Sequence, residues 1–469
     1  MARDPRKAAL ALHRFGFGPR AGSIAAIAYD PEGALIADLD RPNAGQILDA
    51  DLPSSDAELR AVVAFRARRR AEAKLARLEK SPGAMAGNAP AMAMEAGDAE
   101  GGGPRRAPLP RQIFLKEAKA RIDAACGAET GFVERLVWFW SNHFCVSAMT
   151  SPMAGAYERE AIRPHVLGRF VDLLLAAESH PAMLIYLNDV QSFGPGSVVG
   201  INQNKGINEN FAREILELHT LGVRTGYTQA DVIALAKALT GWSIFPRFDP
   251  KVGGRFVFRP LVHEPGRETI LGKTYSDAGV EQARAVLHEL ARKPATATHV
   301  ATKLAVHFIA DQPPPALVER LARRFRDTDG DLKEVAKALV RSPEAWSPEQ
   351  AKLKRPGEWL AAAMRATGRR VPVPGFVGAE ARLGEPLWRP PAPKGFPDDN
   401  AAWLDGVAER LEVANAFASR VGPMLDPAAI ADTALGPLQS SATRQAIAHA
   451  ESRPQALVFA LMAPEFQRR

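Results

Sequence analysis

The densest run of chemically able side chains is Asn208-Glu209-Asn210-Phe211-Ala212-Arg213-Glu214-Ile215-Leu216-Glu217-Leu218-His219. On a helix each residue advances the wheel by about 100°. Glu209, Arg213 and Glu217 then form one ridge, Asn210, Glu214 and Glu217 an adjacent one, and Phe211, Ile215 and Leu218 lie opposite. Carboxylates and an amide three and four residues apart stack on one face, so they can meet one metal ion or one substrate. The same spacing also describes an ordinary charged face with Glu209–Arg213 and Arg213–Glu217 ion pairs. The pattern is looser than HExxH, because Glu217 and His219 fall on opposite sides of a continuous helix.

A second group is Trp138-Phe139-Trp140-Ser141-Asn142-His143-Phe144. His143 shares an arc with Leu136, Val137, Trp140 and Phe144, which suits a core histidine bonded to a neighbour or a metal ligand. A third, His263-Glu264-Pro265-Gly266, reads as a loop, where a histidine can project over a pocket held by rigid elements. His180-Pro181 reads as a helix junction at which the imidazole caps backbone carbonyls. Cys145 is a candidate nucleophile or a small buried hydrophobe. With Cys126 it completes the cysteine count, which excludes a disulfide scaffold. The serine-hydrolase elbow, the P-loop and paired CxxC motifs are absent from the sequence, and Gly194-Pro195-Gly196 follows no strand-to-helix turn of the dinucleotide type.

These groups need elements to hold them. The 469 residues are 46% hydrophobic and 24% charged, a globular composition. Helical periodicity dominates: short helices up to a long one at 56–80, then helices near 112–126, 129–145, 163–178, 180–187, 208–222, 228–240, 279–293, 296–311, 315–327, 331–341, 351–367, 402–420 and 454–462. Thr228 with Asp231, and Asp331, read as helix caps. Residues 255–258 and 269–271 are β-compatible and predict a small hairpin. The Pro-rich stretch 386–399 predicts an extended surface strap. Residues 81–111 carry Met-Ala alternation and Gly101-Gly102-Gly103-Pro104, too little apolar surface to offset ordering. The expected organisation is a mainly α, multi-helix bundle: an N-terminal helical part (1–80), a flexible insertion (81–111) and a main helical body (112–469).

The formal charge of +7 is modest for this length. Its sharpest basic run, Arg66, Arg68, Arg69 and Arg70, lacks interleaved stacking aromatics, so a solvated helix is expected and nucleic acid is not an expected partner. No window supplies the roughly 18 consecutive apolar residues of a membrane span. The apolar stretch 8–12 falls short of a secretory core of roughly 7–15 residues, which gives a cytoplasmic expectation.

Read in order, several segments resemble the bacterial "domain of unknown function 1800" family. They are Leu12-His13-Arg14-Phe15-Gly16-Phe17-Gly18-Pro19, Trp140-Ser141-Asn142-His143-Phe144, Ile162-Arg163-Pro164-His165, His180-Pro181-Ala182-Met183-Leu184, the long run from Gly206 to Gly222, Gly226-Tyr227-Thr228-Gln229-Ala230-Asp231-Val232, Ala238-Leu239-Thr240-Gly241-Trp242, His263-Glu264-Pro265-Gly266, Ser342-Pro343-Glu344 and Ala463-Pro464-Glu465-Phe466. The resemblance spans nearly the whole chain. It implies a mainly helical fold and brings no established activity. It also implies frequent export and a partner encoded nearby that resembles alkaline phosphatases and sulfatases.

Two functional expectations follow. In the first, the chain is a metal-dependent enzyme, a hydrolase ahead of an oxidoreductase. Glu209, Arg213 and Glu217 are then catalytic, with Asn210 beside them, and His143, Glu214, Glu217 and His263 hold iron, manganese or zinc. In the second, it is a non-catalytic helical scaffold or maturation partner whose polar motifs are ion-pair networks fixing helix packing.

Overall fold

The computed structural model describes residues 2–80 and 107–469, so most of the predicted insertion lies outside the described residues. Its last residues, from Leu109, are already the first turn of a helix, Leu109–Gly127. Among the described residues the fold is mainly helical, with 24 α-helices and only two small antiparallel strand pairs. None of these helices is long and apolar enough to cross a membrane.

Two helices form the centre. Phe132–His143 is apolar around most of its circumference, and a helix of that kind must be enclosed; ten of its twelve residues are buried. Pro356–Thr367 is buried along its whole length. The opening helix, Pro5–Arg14, starts with proline at its first position and with Asp4 accepting from the Lys7 amide at 2.8 Å. It delivers Phe15 and Phe17 edge-on to Phe132 and Trp138, with ring centroids 5.1 and 4.6 Å apart. Gly16 between them is required, because a β-carbon there would lie 2.0 Å from the Thr130 carbonyl oxygen. One hydrophobic cluster runs from Ala11 to Phe466.

Most predicted helices are found within a few residues of their expected bounds, and both predicted caps form. Thr228 and Asp231 make a capping box, and Asp331 accepts from the Glu334 amide. Several boundaries differ. The span 163–178 holds a 3-10 turn, Arg163–His165, and a separate helix, Phe170–Glu178. The span 402–420 splits into Ala401–Leu404 and Val407–Val421. The region 351–367 becomes helical only from Pro356. Val373–Arg382, Pro427–Ala434 and Ser441–Ala448 are helices that the periodicity did not reveal.

The two β-compatible runs are strands, but they do not pair with each other. Phe256–Phe258 pairs back onto Trp242–Ile244, with Trp242 opposite Phe258. Glu268–Ile270 pairs forward onto Lys273–Tyr275. Leu271 and Gly272 between the latter have φ of 49° and 77°. Two consecutive positive φ values make the primed turn that closes a two-residue hairpin, and this local closure fixes the register. The stretch 386–399 also departs from expectation. It enters the interior, with Leu387 and Trp388 buried.

Candidate functional site

The segment from Glu209 to His219 is not one continuous α-helix. An α-turn, Asn210–Glu214, runs into a π-turn, Ile215–His219. On its outer side the predicted ladder forms: Arg213 lies 3.2 Å from Glu209 and 3.5 Å from Glu217. Arg213 also donates to the Gln229 amide oxygen at 2.8 Å, and Gln229 donates to Glu209 at 2.6 Å. These groups are partly solvated, so each pair is weak. Asn210 is exposed. Glu214 is half-buried, and burial pushes its carboxyl above the usual range, helped by Glu217 and opposed by His219 and Arg213.

On the inner side the π-turn leaves carbonyls that no later turn of helix satisfies. Side chains supply the missing donors. His299 Nε2 lies 2.9 Å from the Leu218 carbonyl, His143 Nε2 lies 3.2 Å from the His219 carbonyl, and the Thr220 hydroxyl donates to the Ile215 carbonyl at 2.7 Å. His219 is itself fixed, its Nδ1 2.7 Å from a carboxylate oxygen of the fully buried Glu178. Burial, reinforced by the Lys303 cation, holds the His143 imidazole well below its ordinary value and lowers His299 to about 4. Both rings are therefore neutral near pH 7 and act as single N–H donors toward these carbonyls.

The Ser141–Cys145 segment clamps the Pro-rich loop. Asn142 donates to the Phe396 carbonyl at 2.9 Å and accepts from the Phe396 amide at 2.8 Å. The Cys145 thiol approaches the Pro393 carbonyl at 3.1 Å, and burial pushes it up to about 12. Gly395 turns the loop at φ 79°, where a β-carbon would sit 2.5 Å from the Asn142 carbonyl oxygen. Ser141 donates to Glu158 at 2.9 Å. Glu158 belongs to a second π-turn, Glu158–Ile162, and also accepts from the Trp388 indole at 3.1 Å.

His263 sits elsewhere, beside the strand pairs. Its Nδ1 lies 2.7 Å from the Thr240 carbonyl, and its ring meets Phe258 edge-on at 5.2 Å. Its other nitrogen is 3.8 Å from Asp277. Neighbouring Glu264 accepts from the Gly196 amide at 2.7 Å, which gives Gly194-Pro195-Gly196 a packing role. His180 caps its helix through Nδ1, which accepts from the Ala182 amide at 3.1 Å; it therefore serves a donor and not the expected carbonyl. The structure thus brings Glu209, Arg213 and Glu217 together, places Glu214 on the same segment, turns His143 inward beneath it, and seats His263 against Thr240. Among the described residues no group of three or more His, Cys, Asp or Glu side chains is placed to hold a metal ion.

The strongest polar constellation was not singled out from sequence. Arg135, Glu358, Arg469, His307 and Asp398 form a buried network. Glu358 lies 3.0 Å from Arg135 and 2.9 Å from Arg469, and His307 Nδ1 is 2.8 Å from Asp398. Arg135 also donates to the Gly16 carbonyl at 2.9 Å and lies 3.0 Å from His307 Nε2. Although burial favours the neutral acid, the guanidinium groups of Arg135 and Arg469 hold the Glu358 carboxyl at about 2. Beside it Arg163 joins Glu134, at 2.8 Å, to Glu158, at 3.0 Å. One signal was available: Glu134-Arg135 interrupts the otherwise apolar Phe132–Trp140 run, and charges there must be enclosed with partners.

The search of curated proteins and the search of solved structures each found no match. The family model described as "Protein of unknown function (DUF1800)" matches residues 10–468. That match takes in the Glu209–His219 segment, His143, His263 and all of the buried network except Arg469, and by it the chain belongs to the DUF1800 family.

Proposed function

We propose that this protein is a non-catalytic helical scaffold or maturation partner. One observation carries the reading: the imidazoles packed beneath the central segment face backbone carbonyls, with His143 and His299 closing the π-turn that ends at His219. Side chains committed in this way position helices and hold no open face toward a substrate. The buried Arg135–Glu358–Arg469 network supports the same reading, since enclosed charges can fix one packing arrangement. The family resemblance suggests a phosphatase- or sulfatase-like protein as the partner.

An enzymatic reading rests on a different observation. Glu214, with its raised carboxyl, stands with Arg213 at the entry to a π-turn that carries Glu217, a distortion often found at functional sites. In that reading Glu209, Arg213 and Glu217 handle substrate. Iron, manganese or zinc binds Glu214 and Glu217, with His143 and His263 recruited only after each gives up its carbonyl bond.

The full chain, purified without chelator, separates the two readings. The scaffold predicts no bound stoichiometric metal, no rise in melting temperature with manganese, iron(II) or zinc, and strong destabilisation by His143→Ala. A saturable divalent site abolished by Glu214→Gln or Glu217→Gln, with the fold intact, overturns it.

A further inference from the structure

A groove that shares no lining residue with the Glu209–His219 segment has the character of a ligand site. Its volume is about 440 Å³, and it lies between helices Pro356–Thr367, Val373–Arg382, Val407–Val421 and Arg453–Met462. That volume falls within the usual range for small-molecule pockets. Its wall is apolar, built from residues such as Trp359, Met364, Phe376 and Phe417. The one polar atom of Trp359 is already used, its indole N–H donating to the Leu461 carbonyl at 3.0 Å. The groove therefore meets only the ring carbons of Trp359.

The charge on the lining is of one sign. Arg370, Arg382 and Arg420 line the same groove, and no acidic residue does. Arg370 is tied to Asp123 at 3.3 Å and Arg382 to Glu409 at 2.7 Å, both through half-exposed surface pairs. Arg420 is exposed and makes no ion pair among the described residues. An apolar trough bordered by guanidinium groups complements a molecule with a long apolar body and one anionic end.

The small residues of helix Val373–Arg382 keep the trough open. Gly375 and Gly378 both line it, and a β-carbon built on either meets no heavy atom within 4 Å. Glycine inside a helix is destabilising relative to almost any other residue. Here no close approach of backbone or side chain demands it, so the packing of the fold does not account for the two glycines, whereas an occupied groove does.

We infer that this groove binds a long-chain carboxylic acid, its alkyl chain along Trp359, Met364 and Phe417 and its carboxylate at Arg420. Binding is non-covalent, and the site is independent of the central polar segment.

The test is equilibrium binding of hexadecanoate and hexadecanol to the full chain, followed by displacement of a fluorescent polyene fatty acid. Wild-type protein is expected to bind the acid saturably, one per chain, and to prefer it to the alcohol. Arg420→Gln should weaken the acid about tenfold, the scale of one charge-assisted pair, and leave the alcohol unchanged. Gly378→Leu should abolish binding while the melting temperature stays level or rises, because the leucine fills the trough and improves helix propensity. Gly375→Leu is the second blocking variant should the first fail to fold. No saturable binding by the wild type overturns the inference. So does full binding by a folded Gly378→Leu protein, equal loss of acid and alcohol in Arg420→Gln, or association with anionic vesicles alone.

Discussion

His299 offers the sharpest check on the reading of imidazoles as neutral caps. Its Nε2 faces the Leu218 carbonyl at 2.9 Å, and burial lowers the ring from 6.5 to about 4. The sign follows from linkage. In the unfolded chain the ring takes a proton as pH falls through about 6.5, while in the folded protein it resists until about 4. Its contribution is therefore whole above the unfolded value and is lost as pH falls toward the folded one. Near pH 5 the loss is about 2 kcal/mol, from roughly 1.5 pH units at 1.36 kcal/mol each. His299→Gln keeps an N–H donor within reach of the carbonyl and removes the titration, and His299→Ala removes both. Urea unfolding near pH 7.5 should show His299→Gln within about 1 kcal/mol of wild type and His299→Ala lower by about 1–3 kcal/mol, the cost of an unsatisfied buried acceptor. Near pH 5 the glutamine variant should gain about 2 kcal/mol on wild type. The other depressed histidines, His13, His143, His165 and His307, are common to both proteins and cancel. Parallel stability curves for wild type and His299→Gln across this range would refute the neutral cap.

Glu58 works in the alkaline direction. Burial, with Glu117 beside it, raises its carboxyl from 4.5 to about 9, so its contribution is whole below the unfolded value and is lost as pH rises toward 9. Glu58→Gln should therefore gain on wild type by up to about 1.4 kcal/mol per pH unit through the neutral and mildly alkaline range, read from urea midpoints. The thiols of Cys126 and Cys145 are pushed up to about 11 and about 12 by burial. Iodoacetamide near pH 8 should leave both unmodified in the folded protein and label both in denaturant, as intact-mass spectra will register. Arg213→Ala, on the solvated ladder, should cost under about 1 kcal/mol. Glu358→Ala, which strands Arg135 and Arg469 in the interior, should cost about 3–5 kcal/mol, so their unfolding midpoints should separate clearly.

The sequence was most legible where a local rule decides the outcome. Thr228 and Asp231 cap a helix because the side chains reach the first amides without help from the rest of the chain. The exposed basic face at Arg66 to Arg70 is what an unrelieved charged helix requires. Reading failed where distant packing decides. Val373–Arg382 carries two glycines and a proline and has weak helical propensity, yet it folds as a helix against the buried Pro356–Thr367 helix. The stretch 386–399 reads as solvated from its prolines, but Asn142 and Cys145, some 250 residues upstream, supply partners that draw its carbonyls inward.

The central segment shows a subtler failure. The wheel used to group Glu209, Arg213, Glu214 and Glu217 assumes an i→i+4 ladder throughout, and Arg213 meets both Glu209 and Glu217 as that spacing predicts. From Ile215 the ladder becomes i→i+5, which under-rotates each residue and adds one to the turn. His219 lies in the core against Glu178, and the carbonyls of Leu218 and His219, like those at the end of any helix, take donors from elsewhere. His143 and His299 come from elements far away in sequence to provide them. His143, which its place on the apolar arc leaves as either a core histidine bonded to a neighbour or a metal ligand, here faces the His219 carbonyl at 3.2 Å. The end of the segment therefore supports the function proposed for it, because it engages His143, one of the two imidazoles that the metal-binding reading draws on.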